Sequence, residues 1–138
     1  MTDSVKKLLS RTSVVTAAIA VVLSPIPLAD ELVFLPVFGV MASRIGRAHG
    51  LTFGQVPWRP IASTTLAALA ARATLNLAVS YIPGVAAAAN AVSAVTVTRL
   101  LGNYVDDACA NPSAARPLGV RELATRMKDA ITGRPHTA

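Results

Sequence analysis

Four long, mainly apolar stretches run along the chain, at about 5–23, 31–47, 60–81 and 84–103. Ala and Leu dominate them, strand-like alternation is absent, and each is too long for a strand, so all four predict helices. A fifth stretch, 120–132, has another character. Val120, Leu123, Ala124, Met127 and Ile131 recur at helical spacing with charges between them, which predicts an amphipathic surface helix. Pro25, Pro27 and Pro83 cut the apolar stretches, because proline cannot continue a helix ladder. Gly50, Gly54, Pro57 and Pro60 bracket a loop between two halves, and residues 111–119 read as a linker. The predicted fold is all-α: two Pro-cornered helical hairpins over 1–110 forming a small bundle, a linker at 111–119, an amphipathic helix at 120–132 and a disordered tail at 133–138.

The halves resemble each other. An offset of 56 overlays Ser24 on Ser80, Ile26 on Ile82, Pro27 on Pro83 and Gly46 on Gly102. Each half reads as a helix, a Ser-x-Ile-Pro corner, a second helix and a glycine stop. The expectation is a pseudo-repeat of two hairpins in the same orientation, with Pro25, Ile26, Pro27, Ile82, Pro83 and Gly84 forming the corners.

Composition adds a question of environment. Of 138 residues, 53% are apolar and 14% charged, against about 25% charged in soluble domains. That mix excludes intrinsic disorder. One Cys and two His exclude an internal disulfide framework and leave no structural zinc set. The net charge of +6 comes without the clustered bases and interleaved aromatics of a nucleic-acid binder. The run Thr12–Ala29 is uncharged for 18 residues and ends without a small-x-small cleavage pattern, so it reads as mature fold and not as a signal peptide. A span needs about 20 mostly apolar residues. The first stretch has that length; the second holds only Leu32–Ser43 between charges; the third carries Arg72, costing about 2.5–3.5 kcal/mol on insertion scales. Lys6, Lys7, Arg11, Arg44, Arg47, Arg59 and Arg99 gather away from the corners, and Trp58 falls where an interface anchor would be useful. These residues predict a bacterial cytoplasmic-membrane protein with cytoplasmic termini, whose hairpins cross the bilayer or dip into it. A water-soluble bundle with tightly packed alanine faces is the competing expectation.

Two motifs carry a family resemblance. Ser24-Pro25-Ile26-Pro27-Leu28-Ala29-Asp30, an apolar helix ending at Met41–Gly46, then His49-Gly50 resemble the first half of the YcjF-like family, a bacterial group of membrane proteins without an assigned activity. Tyr81-Ile82-Pro83-Gly84 and the Ala-rich helix through Thr98 to Leu101-Gly102 resemble its second half. The likeness covers roughly Val14–Tyr104. It implies a helical domain with membrane segments and, because family members are often fused to or encoded beside small Ras-like GTPases, a separate GTPase partner. Ala86 stands where the family usually has a second glycine. This chain has no phosphate loop of its own.

Candidate chemistry is sparse. Asp30 and Glu31 read either as a cation or proton site or as acids at a helix start. Arg72 either pairs with one of them inside the bundle or marks a face turned to water or headgroups. His49, His136 and Cys109 have no metal-like or base-like neighbours in sequence. No Ser-His-Asp set or dinucleotide fingerprint occurs. The expectation is therefore a non-enzymatic structural or adaptor protein without a cofactor, with lipid, a second copy or a GTPase as partner and nucleic acid excluded. The alternatives are a soluble helical interaction module covered by a partner or by oligomerisation, and a small channel or transporter subunit using Asp30 and Glu31.

Overall fold

The computed structural model describes residues 2–23, 29–79, 82 and 85–133, and leaves out the side chains of residues 23, 29–31 and 79. Five α-helices and one 3₁₀ turn (Phe53–Gln55) make up its regular structure: α1 (Asp3–Leu23), α2 (Ala29–Ala48), α3 (Trp58–Val79), α4 (Ala86–Ala110) and α5 (Val120–Thr132). No strand occurs among the described residues. The predicted all-α class is what the structure has.

Local chemistry sets several helix ends. At α1 the Val5 N–H donates loosely to Thr2 Oγ1 at 3.4 Å, and Asp3 sits in the first turn against the helix dipole. α2 stops where Gly50 adopts φ +74°. The Leu51 N–H then donates to the Gly46 carbonyl and the Gly50 N–H to the Arg47 carbonyl, both at 3.0 Å. That pair of bonds closes a Schellman cap, which favours glycine at the left-handed residue. α2 also runs through Pro36, so one backbone bond is missing from its ladder. Trp58 anchors the loop that follows: its indole N–H donates to the Phe53 carbonyl at 2.7 Å and its ring lies 4.8 Å from that of Phe53.

α1 to α4 form an up-down-up-down bundle. α1 packs against α2 and α4, α3 packs against α2 and α4, and α2 and α4 meet across the short diagonal. α1 runs antiparallel to α4, with Leu9 against Gly102, Thr16 bonded to Thr98, and the Ala20 carbonyl bonded to Asn90. α5 lies on α3 and α4 through fully buried Leu123 and Met127, while Val120 and Ile131, also counted as part of its apolar face, are about half exposed. The linker is strapped down. Tyr104 Oη donates to the Arg116 carbonyl at 2.8 Å, and the Leu118 N–H donates to Thr64 Oγ1 at 2.9 Å in the interior. Phe34, Phe38, Met41, Ile45, Leu69 and Leu101 fill the centre.

Among the described residues, no helix is long and apolar enough to cross a membrane. This overturns the expected inner-membrane placement with cytoplasmic termini, and with it the reading of the hairpins as spans. The physical reason is that uncharged residues are not all apolar. Thr12, Ser13 and Thr16 lie within the charge-free run, and all three turn into the bundle. Thr16 Oγ1 meets Thr98 Oγ1 at 2.8 Å across two helices, a polar contact inside the bundle itself. The first turns of α1 carry Asp3, Lys6, Lys7 and Arg11, and α4 carries Asn90, Ser93, Thr98, Asp106 and Asp107.

Candidate functional site

The up-down topology puts the C-terminal ends of α1 and α3 and the N-terminal ends of α2 and α4 at one end of the bundle, the corner end, and the start of α1 with the C-terminal ends of α2 and α4 at the other, the open end. Pro25, Ile26, Pro27, Pro83 and Gly84 lie outside the described residues; Ile82 is about half exposed. Asp30 and Glu31 fall in the first turn of α2, with side chains outside the described set. Around them the corner end is apolar. Val21, Val22, Leu32, Val33, Leu77, Ile82 and Val85 are all exposed, with Val22 at 74% and Leu32 at 72%.

Beneath this end lies Arg72, with 0% exposure. Its guanidinium donates to Asn90 Oδ1 and stands 4.6 Å over the Phe34 ring. Asn76 Nδ2 donates to the same Asn90 oxygen at 2.8 Å, and Asn90 Nδ2 donates to the Ala20 carbonyl at 2.7 Å. That carbonyl is one of the last four of α1, which have no partner inside the helix. Ser93 Oγ donates to Asn76 Oδ1 at 3.0 Å. One polar cluster thus touches all four bundle helices. Arg72 therefore faces the interior, not water or headgroups. The pairing with Asp30 or Glu31 falls on side chains outside the described residues. Asn76 and Asn90 went unnoticed in the sequence; an amide in each of two otherwise apolar helices was the available signal.

A second contact also escaped the sequence. His49 Nε2 lies 2.8 Å from Asp106 Oδ1, joining the end of α2 to α4. Cys109 is buried one turn further along α4, and burial, with the Asp106 carboxylate adding to it, pushes its thiol above the usual range. A nucleophilic cysteine needs the opposite shift. The trio ties two helices together and offers no activated sulfur. Among the described residues no cluster of His, Cys, Asp and Glu could hold a metal ion.

The basic residues divide. Lys6, Lys7, Arg11, Arg44, Arg47 and Arg59 are exposed at or near the open end, Lys6 pairing with Asp3 at 3.7 Å. Arg99 differs from the expectation: it follows Thr98, which bonds Thr16, so it stands halfway along α4 on the surface. Trp58 is half-buried as a loop anchor.

Between α1 and α2 at the open end runs a groove of about 710 Å³. Lys7, Arg11 and Val15 lie along its α1 wall, and Pro36, Val40 and Arg44 along its α2 wall. Each set is spaced by four, so each forms one ridge of its helix. Leu8, Val37 and Met41 line the groove between them, and no carboxylate does. This spacing was visible in the sequence but was hidden there by counting the bases as topology signals.

Fold and site together define a small five-helix all-α bundle with an apolar corner end and a cationic open end. Comparison with protein-family models, with curated proteins and with solved structures gives no match.

Proposed function

We propose that the protein is a non-enzymatic helical assembly module, in which two copies join through their apolar corner ends and present their cationic open ends outward. The observation that carries this reading is the row of exposed Val21, Val22, Leu32, Val33, Leu77, Ile82 and Val85 at one end of the bundle. Exposed apolar side chains gathered at one end of a domain mark interaction sites. Charge selects a second copy as the occupant. Each copy carries +6, and corner-to-corner contact puts the basic ends as far apart as the molecule allows. A bilayer fits less well. α2 has 20 residues, about 30 Å at 1.5 Å per residue, so a membrane taking the corner end leaves Arg44 and Arg47 far from its headgroups.

Sedimentation velocity over a concentration series tests this. The wild type is expected to pass from monomer to dimer as concentration rises, and Val22→Asp/Leu32→Asp to stay monomeric with an unchanged circular dichroism spectrum. Both side chains are exposed, so the folded monomer tolerates the change. A wild type that stays monomeric at its solubility limit, or a double variant that dimerises as well as wild type, overturns the reading; a GTPase or a lipid surface would then be the occupant to seek.

A further inference from the structure

We propose that the α1–α2 groove at the open end binds a single-chain amphiphile with an anionic head, of the long-chain carboxylate class. This site is separate from the corner end and does not depend on dimerisation.

Three features of the groove converge. Its volume, about 710 Å³, lies inside the range of about 300–1,000 Å³ typical of small-ligand sites. Its lining is mostly apolar, with Leu8, Val37 and Met41 between the walls. Its cations are unevenly placed. α1 and α2 are antiparallel, so Lys7 comes level with Arg44 towards the open end, Arg11 lies one turn further in beside Val40 and Met41, and Val15, Pro36 and Val37 line the far end. Among the described residues no carboxylate pairs with Lys7, Arg11 or Arg44, although Lys6 next door pairs with Asp3. Three neighbouring cations without a counter-ion call for an anion from outside.

The shape of the charge distribution chooses among anions. A free inorganic anion would leave the apolar half of the groove empty. An acidic amphipathic helix from a partner would bring carboxylates spaced along its length, whereas the far end of this groove, at Val15, Pro36 and Val37, carries no cation. A single acid head on a hydrocarbon chain satisfies both halves. The carboxylate lies between Arg11 and Arg44, which donate to it, and the chain runs over Val37 and Val40 towards Val15 and Pro36. Val15 and Val40, now 48% and 54% exposed, are then covered. Arginine suits the head because its planar donors match a carboxylate.

Fluorescence titration with cis-parinaric acid, displaced by dodecanoate below its micelle concentration, tests the site on the full chain. Dodecanoate is expected to displace the probe, and dodecanol to do so at least about tenfold more weakly, since hydrogen bonds to a charged group are lost with the acid. Arg11→Gln/Arg44→Gln removes two exposed charges without touching the core, so its thermal unfolding should match wild type while its dodecanoate affinity falls at least about tenfold. Equal binding of dodecanol and dodecanoate, or unchanged affinity in the double variant, overturns the proposal. So does the absence of carboxylate binding while vesicles of phosphatidylglycerol still capture the protein, which would assign the cations to an extended anionic surface.

Discussion

Gly102 lets α1 and α4 approach closely, and adding one methyl there measures how closely. A Cβ built on Gly102 would stand 1.9 Å from Leu9 Cδ2 and 3.0 Å from both Cδ1 and Cγ. Turning the end of the leucine side chain cannot clear the overlap, because its branch carbon is also in reach. Leu9 is 6% exposed, so the whole side chain must move within packed surroundings. Such overpacking costs about 1–3 kcal/mol, and the breadth of this contact puts Gly102→Ala near the top of that range. Against it, alanine is favoured over glycine inside a helix by about 1 kcal/mol. The net expectation is a loss of about 2 kcal/mol, read from urea unfolding followed by circular dichroism. Leu9→Ala alone should cost about 2–5 kcal/mol by leaving a cavity. In that background the new methyl has room, so Gly102→Ala should become stabilising by about 1 kcal/mol. The coupling between the two positions is then about 3 kcal/mol, at the upper end for residues in contact. Stabilisation by Gly102→Ala in the otherwise wild-type chain, or additive effects of the two changes, would refute the packing argument.

Two further predictions concern the buried polar groups. Arg72→Lys should destabilise the bundle by more than 1 kcal/mol and Arg72→Ala by about 3 kcal/mol or more in the same unfolding assay, because an ammonium cannot reproduce the guanidinium's bond to Asn90 and its stack on Phe34; a lysine variant as stable as wild type would show that the cluster does not depend on that geometry. The raised thiol of Cys109 stabilises the fold fully at neutral pH, and this contribution falls as pH climbs through and beyond the ordinary thiol range near about 8.5, since the unfolded chain then releases a proton that the folded chain keeps. Unfolding free energy should therefore drop more steeply above that pH in wild type than in Cys109→Ser, with native Cys109 reacting with a thiol reagent only as fast as the protein opens; equal slopes or rapid native labelling would contradict it.

What the sequence disclosed was periodicity, and what it withheld was direction. Helix number and order were legible, because Ala- and Leu-rich runs between Pro and Gly have few alternatives. The cap at Gly50 was legible as a loop boundary. Which way Thr16, Arg72, Asn90 and Asp106 point was not, because each is polar in an apolar segment and its partner lies on another helix. Thr16 and Thr98 are 82 residues apart, and His49 and Asp106 are 57 apart. No local pattern encodes such pairs. The linker at 111–119 likewise looked detached from composition, yet Thr64 on α3 accepts the Leu118 N–H and holds its end in place.

The charge pattern misled for a reason that is itself structural. Bases in the first turns of the first helix and around the loop between the second and third were read as marking the cytoplasmic side of a membrane. An up-down-up-down bundle sorts residues by the same rule. Every odd connection falls at one end and every even connection at the other, so Lys7, Arg44, Arg47 and Arg59 share an end whether such a bundle stands in water or in lipid. Charge asymmetry along the chain therefore reports helix reversal in both settings and cannot tell them apart. The interior can. In a bilayer the outward faces must be apolar and buried polar groups are rare. Here Arg11, Arg44 and Arg99 face outward while Arg72, Asn90 and Thr16 face in, and among the exposed apolar residues one group stands at the corner end and another, Val14, Val15, Leu35 and Val40, lies along α1 and α2, with Phe53, Leu66 and Val92 apart from both. Those two surfaces coincide with the two proposed contacts, one end for a second copy and one groove for an acid-headed chain.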